Sequence, residues 1–153
     1  MINNILSICW IFFISFSSCV KEKNIQINKS YAFILKVYTE NNKNYIDADF
    51  VQYFIGDKAI DMAKKNGDAD SHIVNGIKVY SIPGDFYIVN QNNKIRKLEV
   101  SDNVKIDLAS SYDSKSENDL NTFNNLKKNF KDKLFVLSIN NDKVIEIHEI
   151  FTP

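Results

Sequence analysis

Glycine is scarce, with four in 153 residues. Phosphate-cradling loops need several glycines close together, and no such loop appears. Histidine is scarcer: His72 and His148 are the only two. Most hydrolytic chemistry uses an imidazole as its base, and no G-x-S-x-G turn accompanies either one. Both are read as surface residues, His72 in a loop and His148 on a strand. Charge of one sign is also missing, because 19 Lys and Arg balance 19 Asp and Glu. Strong attraction to nucleic acid or to anionic lipid is therefore not expected. No zinc motif and no internal repeat occur, and no metal or cofactor is expected.

The first eighteen residues carry no charged side chain at all. Ile5 to Phe16 is an apolar run broken only by Ser7 and Ser15. A helix of that length rises about 18 Å. A bilayer core is about 30 Å thick, so the run fits the apolar region of a signal peptide better than a membrane span. Ser17, Ser18 and Cys19 follow, and apolar-small-small-Cys resembles the lipobox of bacterial lipoproteins. Phe16 stands where leucine is usual, and no Lys or Arg precedes Cys19. The alternatives are an ordinary signal peptide or an uncleaved anchor. The resemblance implies removal of residues 1–18 and a lipid on Cys19, which would hold the protein to the membrane at the cell envelope. Cys9 would leave with the signal, so the mature chain would keep no thiol for a disulfide or a metal site. Its stability would have to come from a packed core.

Residues 19–30, including KEKNIQINKS, read as a polar tether. A single domain is expected over 31–153. YAFILKVYTE and YIDADFVQYFIG read as strands of a hairpin about NNKN. Asp57 is the expected N-cap of a short helix with Ala59, Ile60 and Ala63 on one face and Gly67 at its end. Gly67 to Gly76 reads as a loop. IKVYSI, DFYIVN, IRKLEV and VKIDLA read as strands, the last two separated by SDN. Ser116 with Asp119 resembles a capping box, before a helical stripe of Leu120, Phe123, Leu126 and Phe130 that reads as core. LFVLSI and KVIEIHEIF close the chain as a hairpin, with Ile145 and Ile147 on one face and Glu146 and His148 on the other. The fold class expected is α+β: a mainly antiparallel, strongly curved sheet or small β-barrel with two short helices.

Three further patterns could carry chemistry. Asn66, Asp68 and Asp70 have the first spacings of a calcium loop, but Ser71 and Ile77 stand where its glycine and glutamate should be. Asp47 and Asp49 lie two apart on a strand, about 6.6 Å along the backbone. Retaining glycosidases hold their carboxyl groups about 5–5.5 Å apart, so that spacing is permissive only. The stretch DFYIVNQNNKIRKLEV reads as a hairpin turning at Asn90–Asn93. It offers Tyr87, Asn90 and Arg96 as candidate binding residues. Arg96 could clamp a carboxylate or phosphate through its planar fork, or pair with Glu99 or Asp85 in the sheet.

DFVQYFIGDKAIDMAKKNG, DFYIVNQNNKIRKLEV with SDNVKI, and VIEIHEIFTP together resemble a widespread, poorly characterised family of small exported domains and lipoproteins, best known from Gram-positive bacteria. The resemblance spans roughly Tyr31 to Pro153, least distinctively between Tyr112 and Phe130. The matching positions are Asp49, Val51, Tyr53, Gly56, Ala59, Tyr87, Ile88, Asn90, Asn92, Arg96 and Pro153. Phe86, Asn93 and Ile95 depart from the usual tyrosine, proline and leucine. The resemblance implies one exported domain, and brings no activity and no catalytic residue with it. The function expected is a non-catalytic, lipid-anchored envelope module that binds an envelope protein or a glycan. Inhibition of a secreted hydrolase through the loops 67–76 or 90–93 is the alternative. A carbohydrate-active hydrolase using Asp47 and Asp49 comes third.

Overall fold

The computed structural model describes residues 26–109 and 122–151. The expected signal peptide, Cys19, most of the expected tether, the expected Ser116–Asp119 cap, Leu120 and Pro153 lie outside the described residues. Eight strands and two helices follow in order. They are β1 (Asn28–Glu40), β2 (Lys43–Ile55), α1 (Asp57–Asn66), β3 (Asp70–Val74), β4 (Ile77–Ser81), β5 (Phe86–Val89), β6 (Ile95–Asp107), α2 (Phe123–Asn129), β7 (Leu134–Asn140) and β8 (Lys143–Ile150).

Five strands close a barrel in the order β1-β7-β8-β6-β2, with β2 pairing back onto β1. The fold is the expected α+β small barrel. Every pairing is antiparallel except β6 with β8, which is parallel. The interior is built by strand alternation. Ala32, Ile34, Ile46, Ala48, Val100, Phe135, Leu137, Val144 and Ile147 are all buried there. α2 lays Leu126 into the same core, with Phe123 and Phe130 packed against it. Within the described residues, the part of the stripe from Phe123 to Phe130 packs on the core as expected.

Three hairpins share one turn chemistry. Asn41–Asn42, Asn75–Gly76 and Asn141–Asp142 each place two consecutive residues at positive φ. Two such residues make the turn whose twist matches that of paired strands, and Asn, Asp and Gly tolerate it best. The first and third turns are the expected ones. The second overturns the expected loop at 67–76, since β3 and β4 pair from Asp70↔Ser81 to Val74↔Ile77.

Other expectations shift by particular residues. DFYIVNQNNKIRKLEV is not a hairpin, because β5 and β6 both pair with β2 and not with each other. SDN is no break, because β6 runs unbroken from Ile95 to Asp107 and absorbs those residues in a register shift against β8. Gly56, not Asp57, caps α1, at φ 57° and ψ −137°, a conformation that favours glycine. Thr122 caps α2 by accepting from the Asn125 amide at 3.3 Å. β1 begins at Asn28 and pairs with Ile139, so the last residues of the expected tether belong to the barrel. Ile145 is the extra residue of a bulge between Ser138↔Glu146 and Ile139↔Val144. Val144 and Ile147, not Ile145 and Ile147, are the buried pair.

Glu99 ties three strands at one end of the barrel. It accepts from Lys43 at 3.2 Å on β2 and Lys143 at 2.7 Å on β8. Lys143, and then Lys43, hold its carboxyl below the usual glutamate range. A depressed folded value means the stabilisation is present above the unfolded value and is lost as pH falls through the folded one. Lys143→Met should therefore raise the pH at which Glu99 titrates, read by carboxyl NMR. For the core, Phe135→Ala should cost about 3–5 kcal/mol in chemical denaturation, because its ring is fully buried.

Candidate functional site

The site arises where β1 and β2 part. The β1–β2 ladder begins at Tyr31↔Val51, and beyond that point Gln52 to Ile55 pair with β5 instead. β6 resumes pairing with β2 at Asp49↔Ile95. Residues 90–94 thus span the positions Phe50 and Val51, which lie between the two ladders. Side chains hold this connection at several points. Asn90 Nδ2 donates to Asp49 Oδ2 at 2.6 Å. The Lys94 amide donates to Asn92 Oδ1 at 3.1 Å, closing a local turn. Arg96 donates to the Lys94 carbonyl at 2.7 Å.

Arg96 sits directly across from Ala48, which is buried in the barrel wall. Residues directly opposite share a face, so Arg96 continues the inward row of Val100 and Leu98 out to the open end. There its guanidinium lies 4.4 Å from the centre of the Phe50 ring. A cation over an aromatic face is attracted by the ring's negative π-cloud. The expected pairing of Arg96 with Glu99 or Asp85 does not form. Glu99 is held by its two lysines, and Arg96 makes no ion pair among the described residues.

Arg96 borders a groove of about 590 Å³, within the range of small-ligand sites. Its walls come from Lys29 to Tyr31, Phe50 to Phe54, Val89, Gln91, Asn92 and Arg96. Two cations and no acid are among them. Tyr31 and Tyr53 stand 5.0 Å apart between ring centres, and Tyr53 stands 5.8 Å from Phe86. Among the described residues, the hydroxyls of Tyr31 and Tyr53 and the amide groups of Gln52 and Gln91 have no protein partner. The groove therefore combines aromatic faces, unpaired neutral hydrogen-bonding groups, the unpaired charge of Arg96 and a second cation, Lys29, whose charge also acts on Glu146.

Of the three candidate binding residues, only Arg96 reaches this groove. Tyr87 does not: its hydroxyl donates to Asp68 and accepts from Asn66 at 3.2 Å, fastening β5 to the end of α1. The bond to Asp68 raises the Tyr87 pKa above the usual tyrosine value. Asn90 does not either, since its amide is committed to Asp49. The resemblance to a calcium loop dissolves in the same contacts, which use Asn66 and Asp68. Asp47 and Asp49 do share a strand face, but different partners hold them. Asp47 accepts from Tyr38 at 3.1 Å and lies 3.9 Å from Lys36. Each carboxylate borders a separate depression. His72 is exposed on β3 rather than in a loop. His148 is half-exposed, 2.7 Å from Asp107.

Lys29, Tyr31, Phe50, Gln52 and Gln91 were not singled out from the sequence. Strand alternation puts Phe50 and Gln52 on one face of β2 and Val51 and Tyr53 on the other. Both faces border one groove only because β2 leaves the barrel wall there. Comparison with protein families, curated proteins and solved structures found no match.

Tyr87→Phe should lower the urea midpoint slightly, because the exposed bonds to Asp68 and Asn66 are lost. It should leave the NMR shifts of Arg96 and Phe50 unchanged.

Proposed function

We propose that this chain is an exported, lipid-anchored protein of the bacterial cell envelope whose barrel binds a ligand without catalysis at the Arg96 groove. The observation that carries the reading is the guanidinium itself. It is ordered on Phe50, bonded once to a backbone carbonyl, and matched by no acid among the described residues. A structural arginine in a sheet ordinarily has a carboxylate beside it. An arginine held flat at the rim of a groove, with most of its donors unspent, suits recognition. The lipobox-like Ser17-Ser18-Cys19 and the resemblance to exported domains support the location.

Two measurements test the halves of this reading. Palmitate labelling should vanish in Cys19→Ala, and unchanged labelling with retained membrane association would remove the anchor. Arg96→Ala should cost no more than about 1 kcal/mol, the order of one cation–π contact at a partly exposed site. A loss of several kcal/mol would make the guanidinium a structural group and end the binding role.

A second reading draws on β3 and β4. Ile73 is 75% exposed and Ile77 is 68% exposed at the tip of their hairpin. Ile73 and Ile77 lie on opposite faces of that hairpin, so the tip is apolar on both sides. A projecting apolar finger suits insertion into the cleft of a secreted hydrolase, the inhibitor alternative. Absence of inhibition across muramidases and proteases at micromolar protein would dispose of it.

A further inference from the structure

We infer that the groove takes a short saccharide bearing a carboxylate. This rests on the groove being a binding site and names the class of its ligand. The charge comes first. Among the described residues, Lys29 and Arg96 border the groove and no acid does; Arg96 has no ion-pair partner, while the charge of Lys29 also acts on Glu146. The site therefore favours an anion even though the chain is neutral overall.

The shape of the charged group comes next. Arg96 is planar and already oriented by Phe50 and the Lys94 carbonyl. A planar fork matches a carboxylate through two parallel hydrogen bonds, and fixing it beforehand lowers the ordering cost on binding. Sites for phosphate usually add a helix N-terminus or a nest of backbone amides. Neither helix borders the groove. A single singly charged, planar group fits the donors better.

The remaining walls select the body of the ligand. The faces of Tyr31 and Tyr53 present negative π-clouds, which attract the polarised C–H groups on the flat side of a sugar ring. Around them, two phenolic hydroxyls and the amides of Gln52 and Gln91 can each donate and accept. That pattern matches adjacent sugar hydroxyls, which also do both. An aliphatic acid would leave these groups unsatisfied, at a cost in affinity.

The test uses the processed chain purified from membranes. It is titrated with a tetrasaccharide of uronic acid, the same tetrasaccharide with its carboxyls reduced to alcohols, inorganic phosphate, and a tetrapeptide with a free C-terminus. Calorimetry and NMR follow binding. The uronate should bind and shift the rings of Tyr31 and Tyr53. The reduced sugar and phosphate should bind at least tenfold more weakly. Arg96→Ala should weaken uronate binding at least tenfold, Arg96→Lys should restore only part of it, and Tyr53→Ala should weaken it several-fold. Equal binding of the reduced sugar would overturn the carboxylate. Preference for phosphate or the peptide, lost in Arg96→Ala, would overturn the saccharide while leaving the groove as the binding site. No binding by any probe would overturn the inference. If Arg96→Ala also unfolded the domain, the binding reading would fall with it.

Discussion

Closure of the barrel is the constraint on which the other features rest. β1 has two partners, β2 on one side and β7 on the other, and both ladders must be satisfied together. The parallel contact of β6 with β8 completes the ring and cannot be made by any hairpin. It brings together strands separated by α2, which then covers the core with Leu126. Bulges at Leu35 and Ile145 adjust the phase of the wall. Without them Val37 and Val144 would point outward and the interior would lose two of its branched side chains.

The groove follows from a mismatch in this ring. β1 and β2 leave their shared turn in register, 13 residues each, and then part: Asn28 to Ser30 continue along β7 while Gln52 to Ile55 turn to β5. The overhang of β2 carries aromatic residues that the barrel has no room to bury. They stay half-buried, and Arg96 finishes the inward row with a group that water and a ring can both accommodate. An apolar residue at that position would either extend the core into solvent or leave an exposed patch. Charge at the mouth and hydrocarbon inside are thus two ends of one strand pattern.

Much of this was legible residue by residue. Apolar alternation with Asn-rich punctuation marked β1, β2, β7 and β8, and Gly67 marked the end of α1. The tight turn at Asn75–Gly76 was legible too, as an Asn-Gly pair between Ile73-Val74 and Ile77. It went unread because HIVNGIKV is short and exposed on both faces, so no buried row advertises it. DFYIVNQNNKIRKLEV misled for a different reason. Two apolar runs flanking side-chain amides look alike whether they pair with each other or with one longer strand. Only the length of β2, enough to host both, decides between them. Tyr87 was a similar case: its position in a strand was visible, but the commitment of its hydroxyl to Asp68 depends on where α1 ends. Bulges leave no local mark, since one extra residue changes phase without changing composition. The groove was invisible because its parts come from three segments and from both faces of one strand.

The order in which the chain is made gives the closing hairpin a temporal meaning. The barrel is shut by β7 and β8, which are the last elements of the described residues. Until they emerge, β1 lacks one neighbour and β6 lacks its parallel partner, and both long strands present bare hydrogen-bonding edges. A nascent chain of this kind remains open until Leu134–Ile150 has emerged, and a truncation before Leu134 would leave it open permanently. Sticky intermediates are the cost of such late completion.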